Sequence, residues 1–191
     1  MDALEAIFAR RSVGRLGEPA PSDDDLHTIL RAAAAAPDHK LLRPLRLIVL
    51  TGPAKDDFGA VLVSAYTARC AALGVVPDPT VIEKEANKLG RAPVVVVVAA
   101  ADTTNGRIPF VEQEATAAAA AQNILLAATA LGYGSMWRTG EPADDPVVKA
   151  ALGLAEGDTV TGFVYVGSDH TDRRGAHNNP VLDGIVSTWA P

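Results

Sequence analysis

From Ala115 to Leu131 the chain carries no charged residue, and about half of that stretch is alanine. Alanine is the strongest helix former and no breaker interrupts the run, so this sequence has little choice but to be a long helix. Acids crowd its front end at Glu112 and Glu114, where the helix macrodipole favours them. A helix with no charged stripe is expected to be buried almost all round, and its small side chains let other backbones come close. Gln122, Asn123 and Thr129 make it too polar to cross a membrane, which takes about 20 strongly apolar residues. The reading is a core helix with an abrupt exit: Gly132 suits the position just past a helix end, Gly134 follows, and Trp137, Arg138 and Thr139 come next. Arg138 is then either delivered beside the core or left exposed after a turn, and this segment alone fits both.

The remaining chain reads as helices and strands in irregular alternation. Asp2 and Glu5 form a capping box for a short amphipathic helix over residues 3 to 11, which ends in Arg10, Arg11 and Ser12. Cations at a helix C-terminus are equally accounted for by the dipole. Ser22 caps a second helix from Asp23 to Ala36, stopped by Pro37, and a loop with Asp38, His39 and Lys40 leads through Arg43 and Pro44 into a strand, LRLIVLT. Residues 54 to 73 read as helix, and Thr80 with Glu83 as the capping box of another that runs to Leu89, the two expected to form a lid. Val94 to Ala101 is apolar throughout and suits a central strand buried on both faces. Pro146 opens a short helix through Leu152, and TVTGFVYVG at 159 to 167 is a third strand. The tail from Ser168 contains DRRG and ends in an apolar patch, Val181, Ile185, Val186 and Trp189. That patch favours packing on a partner subunit, with docking on its own core as the simpler alternative.

With 191 residues the chain is expected to form one domain, 1–191, able to bury a core without disulfides. A net charge of -6 and the lack of any long basic block argue against nucleic-acid binding. The single cysteine, Cys70, fits a reducing compartment and is assigned no chemistry; the N-terminus reverses the charge order of a signal peptide, so a cytoplasmic protein with no membrane segment is expected. The sequence holds no GxGxxG between strand and helix, no Walker loop and no GxSxG, and His27, His39, His170 and His177 lack metal-ligand spacing. No catalytic acid, base, nucleophile or metal site is therefore expected. What is left is a scattered set, Arg10, Arg11, Ser12, His39, Arg138 and Thr139, able to hold a phosphorylated ligand if the fold gathers it.

In order and spacing, MDALEAIFARRSVGRLGEPAPSDDDL, AAPDHK, RAPVVVVVA and LGYGSMWRTG resemble the nitroreductase family of FMN-dependent oxidoreductases, and within it the short YdjA-like members. The resemblance covers residues 1 to about 168 and implies an α+β, nitroreductase-like fold, a mixed sheet flanked by helices, with FMN at a homodimer interface. It implies that Arg10, Arg11 and Ser12 hold the phosphate and ribityl end of FMN, that Trp137, Arg138 and Thr139 contribute, and that Pro37 and His39 reach the flavin from one side of the interface. It implies NADH or NADPH as donor and a small electron-poor acceptor, a nitroaromatic or quinone, reduced by ping-pong hydride transfer through the flavin. A dimeric flavin protein with a sensing, storage or partner-binding role and no useful turnover is the alternative. Three departures bear on the acceptor pocket: Leu41 and Leu45 stand where the family often has asparagine and tryptophan, and Ala35 where short relatives carry arginine.

Overall fold

The structure, a computed structural model, describes residues 1–104, 106–171 and 180–189. Four strands form one sheet in the order β1 (Leu45–Thr51), β2 (Val94–Ala100), β4 (Thr159–Gly167), β3 (Gly134–Arg138). Every pair is antiparallel; the parallel component of the expected mixed sheet is a single bridge between Ser12 and Ser135. β2 is buried over its whole length, as its unbroken apolar run requires. Strand alternation sends Val94, Val96, Val98 and Ala100 to one core and Val95, Val97 and Ala99 to the other.

The first core lies under α5 (Phe110–Ala130), which crosses the sheet on Ala117, Ala120, Ala121, Ile124, Leu125 and Ala128, with α2 (Asp23–Ala34) packed beside it through Ile29 and Ala33. The opposite stripe of α5 is not buried: Val111 and Ala115 are exposed, and Ala118, Ala119 and Leu126 are half-buried. Burial all round is thus corrected to burial on one side. On the other face of the sheet, α3 (Pro53–Ala72) packs with Phe58 and Leu62 beside Leu89 of the following 3₁₀ turn over Val95, Val97, Phe163 and Tyr165, and α4 (Pro79–Ala86) lies against α3. The short helices α6 (Glu141–Asp144) and α7 (Pro146–Ala151) close that layer. α3 and α4, expected to form a lid, border a cleft through Leu62 and Lys84.

Local signals explain most boundaries. The Asp2/Glu5 capping box opens α1 (Ala3–Ala9), and the Ser22 hydroxyl accepts from Asp25 N–H at the head of α2. The helix read as capped by Thr80 is capped instead by Asp78, which accepts from Thr80 N–H at 2.8 Å, because Pro79 takes the first helical position. α1 ends at Ala9, two residues early, since the chain must leave the helix to reach β3: Val13 N–H donates to Ser135 carbonyl at 3.0 Å and Gly17 pairs with Ser168. The short segment expected after the turn at Leu131 is a strand, β3. Gly134 is needed there for close approach rather than for bending, because a Cβ would fall 2.5 Å from the Leu16 side chain.

Candidate functional site

A cleft of about 310 Å³ opens on the α3/α4 side of the sheet, where β3 and β4 meet α4, α6 and the one-turn 3₁₀ segment Lys88–Arg91. Its floor is apolar, from Leu62, Leu89, Phe163 and Tyr165, and its rim is cationic, from Lys84, Lys88, Arg91 and Arg138. Lys88 is neutralised by Glu85, with both carboxylate oxygens at 2.5 Å. In a chain of net charge -6 this concentration of cations is local and directed. Arg138 reaches it because side chains alternate along β3: its guanidinium lies 5.9 Å from the Tyr165 ring centroid, a cation–π distance. Burial raises the Tyr165 phenol above its ordinary value, with Arg138 and Arg91 pulling the other way, so the ring is a neutral platform. Thr139 completes the rim.

The same alternation turns Trp137 to the α5 face, where it packs against that core and donates from Nε1 to the Thr161 carbonyl at 3.1 Å. This requires Gly162 opposite, since a Cβ there would fall 2.2 Å from Trp137 Nε1 and 2.7 Å from the Arg138 carbonyl. Gly162 sits where the β2–β4 register slips between Val98 and Ala99.

Arg11 is occupied within the chain. Its Nη2 donates to Asp169 Oδ2 at 2.7 Å and to Thr171 Oγ1 at 3.4 Å, and it faces a second hollow of about 400 Å³ with Glu5 and Tyr133. Burial works to raise the Asp169 carboxyl, but hydrogen bonds from Thr171 and the Arg11 pairing outweigh it and hold the group below the usual carboxylate range. Arg10 occupies the cap position of α1 with extended ψ, and Ser12 makes the bridge to Ser135. Pro37 and His39 line a third hollow against α5, where His39 Nδ1 pairs with Glu112 and Thr116 Oγ1 donates to the Pro37 carbonyl at 2.9 Å.

Of the residues expected from the sequence, the fold brings Arg138 and Thr139 into one cleft. It leaves Arg11, Trp137 and the Pro37–His39 loop facing elsewhere. Sequence reading missed Lys84, Lys88 and Arg91, whose 84/88 spacing puts two cations on one side of a helical stretch ahead of Arg91, and Gly162, whose place inside a strand pattern signals close backbone approach. Residues 172–175, the DRRG run, and His177 lie outside the described residues. Among the described residues no group of three or more His, Cys, Asp or Glu is placed to hold a metal ion, and no helix is long and apolar enough to cross a membrane.

Residues 7–168 match the Nitroreductase family. Over 168 residues the chain is 40% identical to the protein named "Putative NAD(P)H nitroreductase YdjA" of Escherichia coli (strain K12), a match covering 88% of each chain. The nitroreductase-like family protein from Bacillus cereus shares the fold at a TM-score of 0.80 and 21% identity, over 100% of this chain and 97% of that one. The nitroreductase with bound FMN from Bacteroides fragilis aligns over 100% of both chains, at a TM-score of 0.71 and 26% identity. The chain belongs to the nitroreductase family.

Proposed function

We propose that the protein is an FMN-dependent NAD(P)H oxidoreductase that works as a homodimer and reduces small electron-poor acceptors such as nitroaromatics or quinones in the cytoplasm. The observation that carries this reading is the cation-rimmed, apolar-floored cleft beside Arg138 and Thr139, in a chain whose relatives are named as NAD(P)H nitroreductases and whose structural neighbours include an FMN complex. The residues present fit the cofactor: arginine forks suit phosphate and the electron-rich edge of a flavin, and Tyr165, Phe163 and Leu89 suit its ring. At about 310 Å³ the cleft is at the small end of ligand pockets, so a flavin nucleotide overhangs it and a second copy completes the site.

The protomer leaves apolar surface for that second copy. Leu4, Ile7 and Phe8 of α1 are exposed, Val111 of α5 is exposed, and Ile7, Ala32, Leu126 and Ala127 line a shallow hollow between α1, α2 and α5. The end of the chain adds Val181, Ile185, Val186 and Trp189, the last of these 84% exposed, and the tail, residues 168–191, is proposed to wrap the partner. Dimerisation would bring Pro37 and His39 of one copy toward the cleft of the other, with Arg10, Arg11 and Ser12 at the phosphate and ribityl end and Trp137 bracing Arg138 from behind.

FMN, when bound, supplies the electron chemistry, accepting reducing equivalents from NADH or NADPH and giving them up to the acceptor in a later encounter. The side chains hold and orient: Arg138, Lys84 and Arg91 present positive charge to the cofactor, and the apolar floor excludes water from its ring. The test is the spectrum of the purified protein. A flavin spectrum that bleaches on anaerobic mixing with NADPH or NADH and returns on adding a quinone or nitroaromatic, with parallel double-reciprocal lines, is the expected outcome. A flavin that neither donor bleaches makes the protein a flavin binder without turnover, and failure to take up FMN at all removes the reading. Light scattering of the FMN-loaded protein gives a dimer. Removal of residues 180–191 weakens both dimer and flavin retention; if both are kept, the tail does not cross to the partner.

A further inference from the structure

The loop that carries His39 is fixed at three points. Thr116 on α5 donates to the Pro37 carbonyl at 2.9 Å, and the Asp38 carboxylate accepts from the backbone N–H groups of Leu42 at 3.1 Å and Arg43 at 2.8 Å. Between these ties Lys40, Leu41 and Arg43 adopt φ of 53°, 55° and 54°, a left-handed conformation costly to residues other than glycine. The third tie is His39 itself, through Nδ1 to Glu112 Oε2.

Glu112 is held in turn by its neighbour. Gln113 is buried, its Oε1 accepting from Thr103 N–H and Thr103 Oγ1, each at 3.1 Å, and its Nε2 donating to Asp102 Oδ1 at 3.1 Å. Hydrogen bonds from Thr104 N–H and Gln113 hold the Asp102 carboxyl below the usual range, so this anchor stays an acceptor. The first turn of α5 is thereby nailed to the end of β2, and Glu112 with it.

A carboxylate can only accept, so Nδ1 of His39 carries hydrogen whether the ring is neutral or cationic. Nε2 is left as the nitrogen that can change, accepting in the neutral ring and donating in the cation. On its own loop the charged neighbours of His39 are Asp38 and Lys40. Asp38 is taken up by two amides, which leaves Glu112 as the carboxylate that engages the imidazole. We propose that Glu112 is a positioning residue: it orients the His39 ring and fixes the Nδ1–H tautomer, so that Nε2 is the atom offered to the cofactor cleft of a second copy. The tautomer stands on this protomer's geometry, and the direction of Nε2 rests on the dimeric FMN reading above. Both partners are 41% exposed, so the pair adds little to stability and its effect is on orientation.

The experiment is a long-range proton–nitrogen correlation spectrum of protein labelled at histidine, with FMN present, recorded about two pH units above the ordinary imidazole value of ~6.5. His39→Gln assigns the signal. The expected result is an Nδ1–H tautomer in the wild type that turns to Nε2–H or to exchange averaging in Glu112→Ala. Nε2–H in the wild type, or an unchanged Nδ1–H in Glu112→Ala, overturns the proposal. In parallel, FMN titration of apoprotein is expected to show about tenfold weaker binding for Glu112→Ala, and near-normal binding for Glu112→Gln, whose amide oxygen still accepts from Nδ1–H. Equal loss in both variants would mean that charge rather than tautomer matters and also overturns it. Wild-type protein that takes up no FMN defeats the functional reading and the direction of Nε2, while the tautomer spectrum still judges Glu112.

Discussion

Toward α5, β2 presents Val94, Val96, Val98 and Ala100 to a helix that answers with Ala117, Ala120, Ala121 and Ala128; toward α3 the same strand presents Val95, Val97 and Ala99 to Phe58, Leu62 and Leu89. Small residues on one side bring the helix backbone down onto the sheet, and Ala117, Ala120, Ala121 and Ala128 are fully excluded from solvent. On the other side larger side chains come from several separate elements, and where they stop meeting, at the β3 end of the sheet, the cation-rimmed cleft opens. One face is close-packed backing and the other is shaped space. Phe163 and Tyr165 on β4 and Arg138 on β3 carry the cleft side, in the same sheet whose other face α5 covers.

The contrast is tested most severely by adding volume to each face. Ala121→Leu puts a branched side chain where no solvent-accessible space exists, and overpacking of this kind costs about 1–3 kcal/mol or more. At roughly 2–4 °C per kcal/mol for a chain of this size, thermal melting shows it directly. Thr139→Leu, on the exposed rim of the cleft, is expected to shift stability by no more than about 0.5 kcal/mol. Equal melting shifts in the two variants would end the distinction between a packed face and an open one.

The second effect concerns ligand rather than fold. Arg138→Ala removes a guanidinium from the cleft and with it the cation–π contact to Tyr165, so apoprotein stability should fall by no more than about 1 kcal/mol. FMN binding should weaken by about tenfold to a hundredfold, the worth of a charge-assisted hydrogen bond of about 1.5–3 kcal/mol. Riboflavin titrated beside FMN sharpens the assignment: selective loss of FMN identifies a phosphate contact, and equal loss of both identifies a ring or ribityl contact. Arg11→Ala is predicted to lose less FMN affinity than Arg138→Ala, because Arg11 is engaged by Asp169 and Thr171. Wild-type FMN affinity in Arg138→Ala would detach the cleft from the cofactor.

How far the two faces could be read from sequence differs for the same physical reason. The α5 face was legible because its signals are extreme: an uncharged alanine run and an unbroken Val94–Ala101 stretch allow few alternatives, and both elements lie within a residue or two of their expected bounds. The outward stripe of α5 was not, since alanine carries no mark of which side meets solvent. The cleft was only half legible. Arg138 and Thr139 announced themselves through the motif that carries them, whereas Lys84, Lys88 and Arg91 look like the solvated side of any short helix until they are seen to line the cleft with Phe163 and Tyr165. β3 was hidden because Gly134, read as a turn residue, is there to let Leu16 approach. Arg11 was expected to be available for phosphate, and no spacing rule could have paired it with Asp169, 158 residues away.

The smallest expected effect lies at the seam that ties the chain's start to the end of β4. Arg11 donates to Asp169, Gly17 pairs with Ser168, and the Ser168 hydroxyl donates to the Pro19 carbonyl at 2.8 Å, so this seam joins residues 11–19 to the end of β4. The folded Asp169 carboxyl titrates below its ordinary value of ~3.9, so folding favours its ionised form. Its contribution is then fully present above the unfolded value, and is lost as pH falls through the lower folded value. Asp169→Asn should therefore cost about 1 kcal/mol near neutrality. The gap between wild type and variant should be flat from neutrality down to about pH 5, and close as the pH drops below the usual carboxylate range. Urea unfolding of both proteins across that span measures it. A gap that persists unchanged into acid would show that the charge on Asp169 is not what Arg11 responds to.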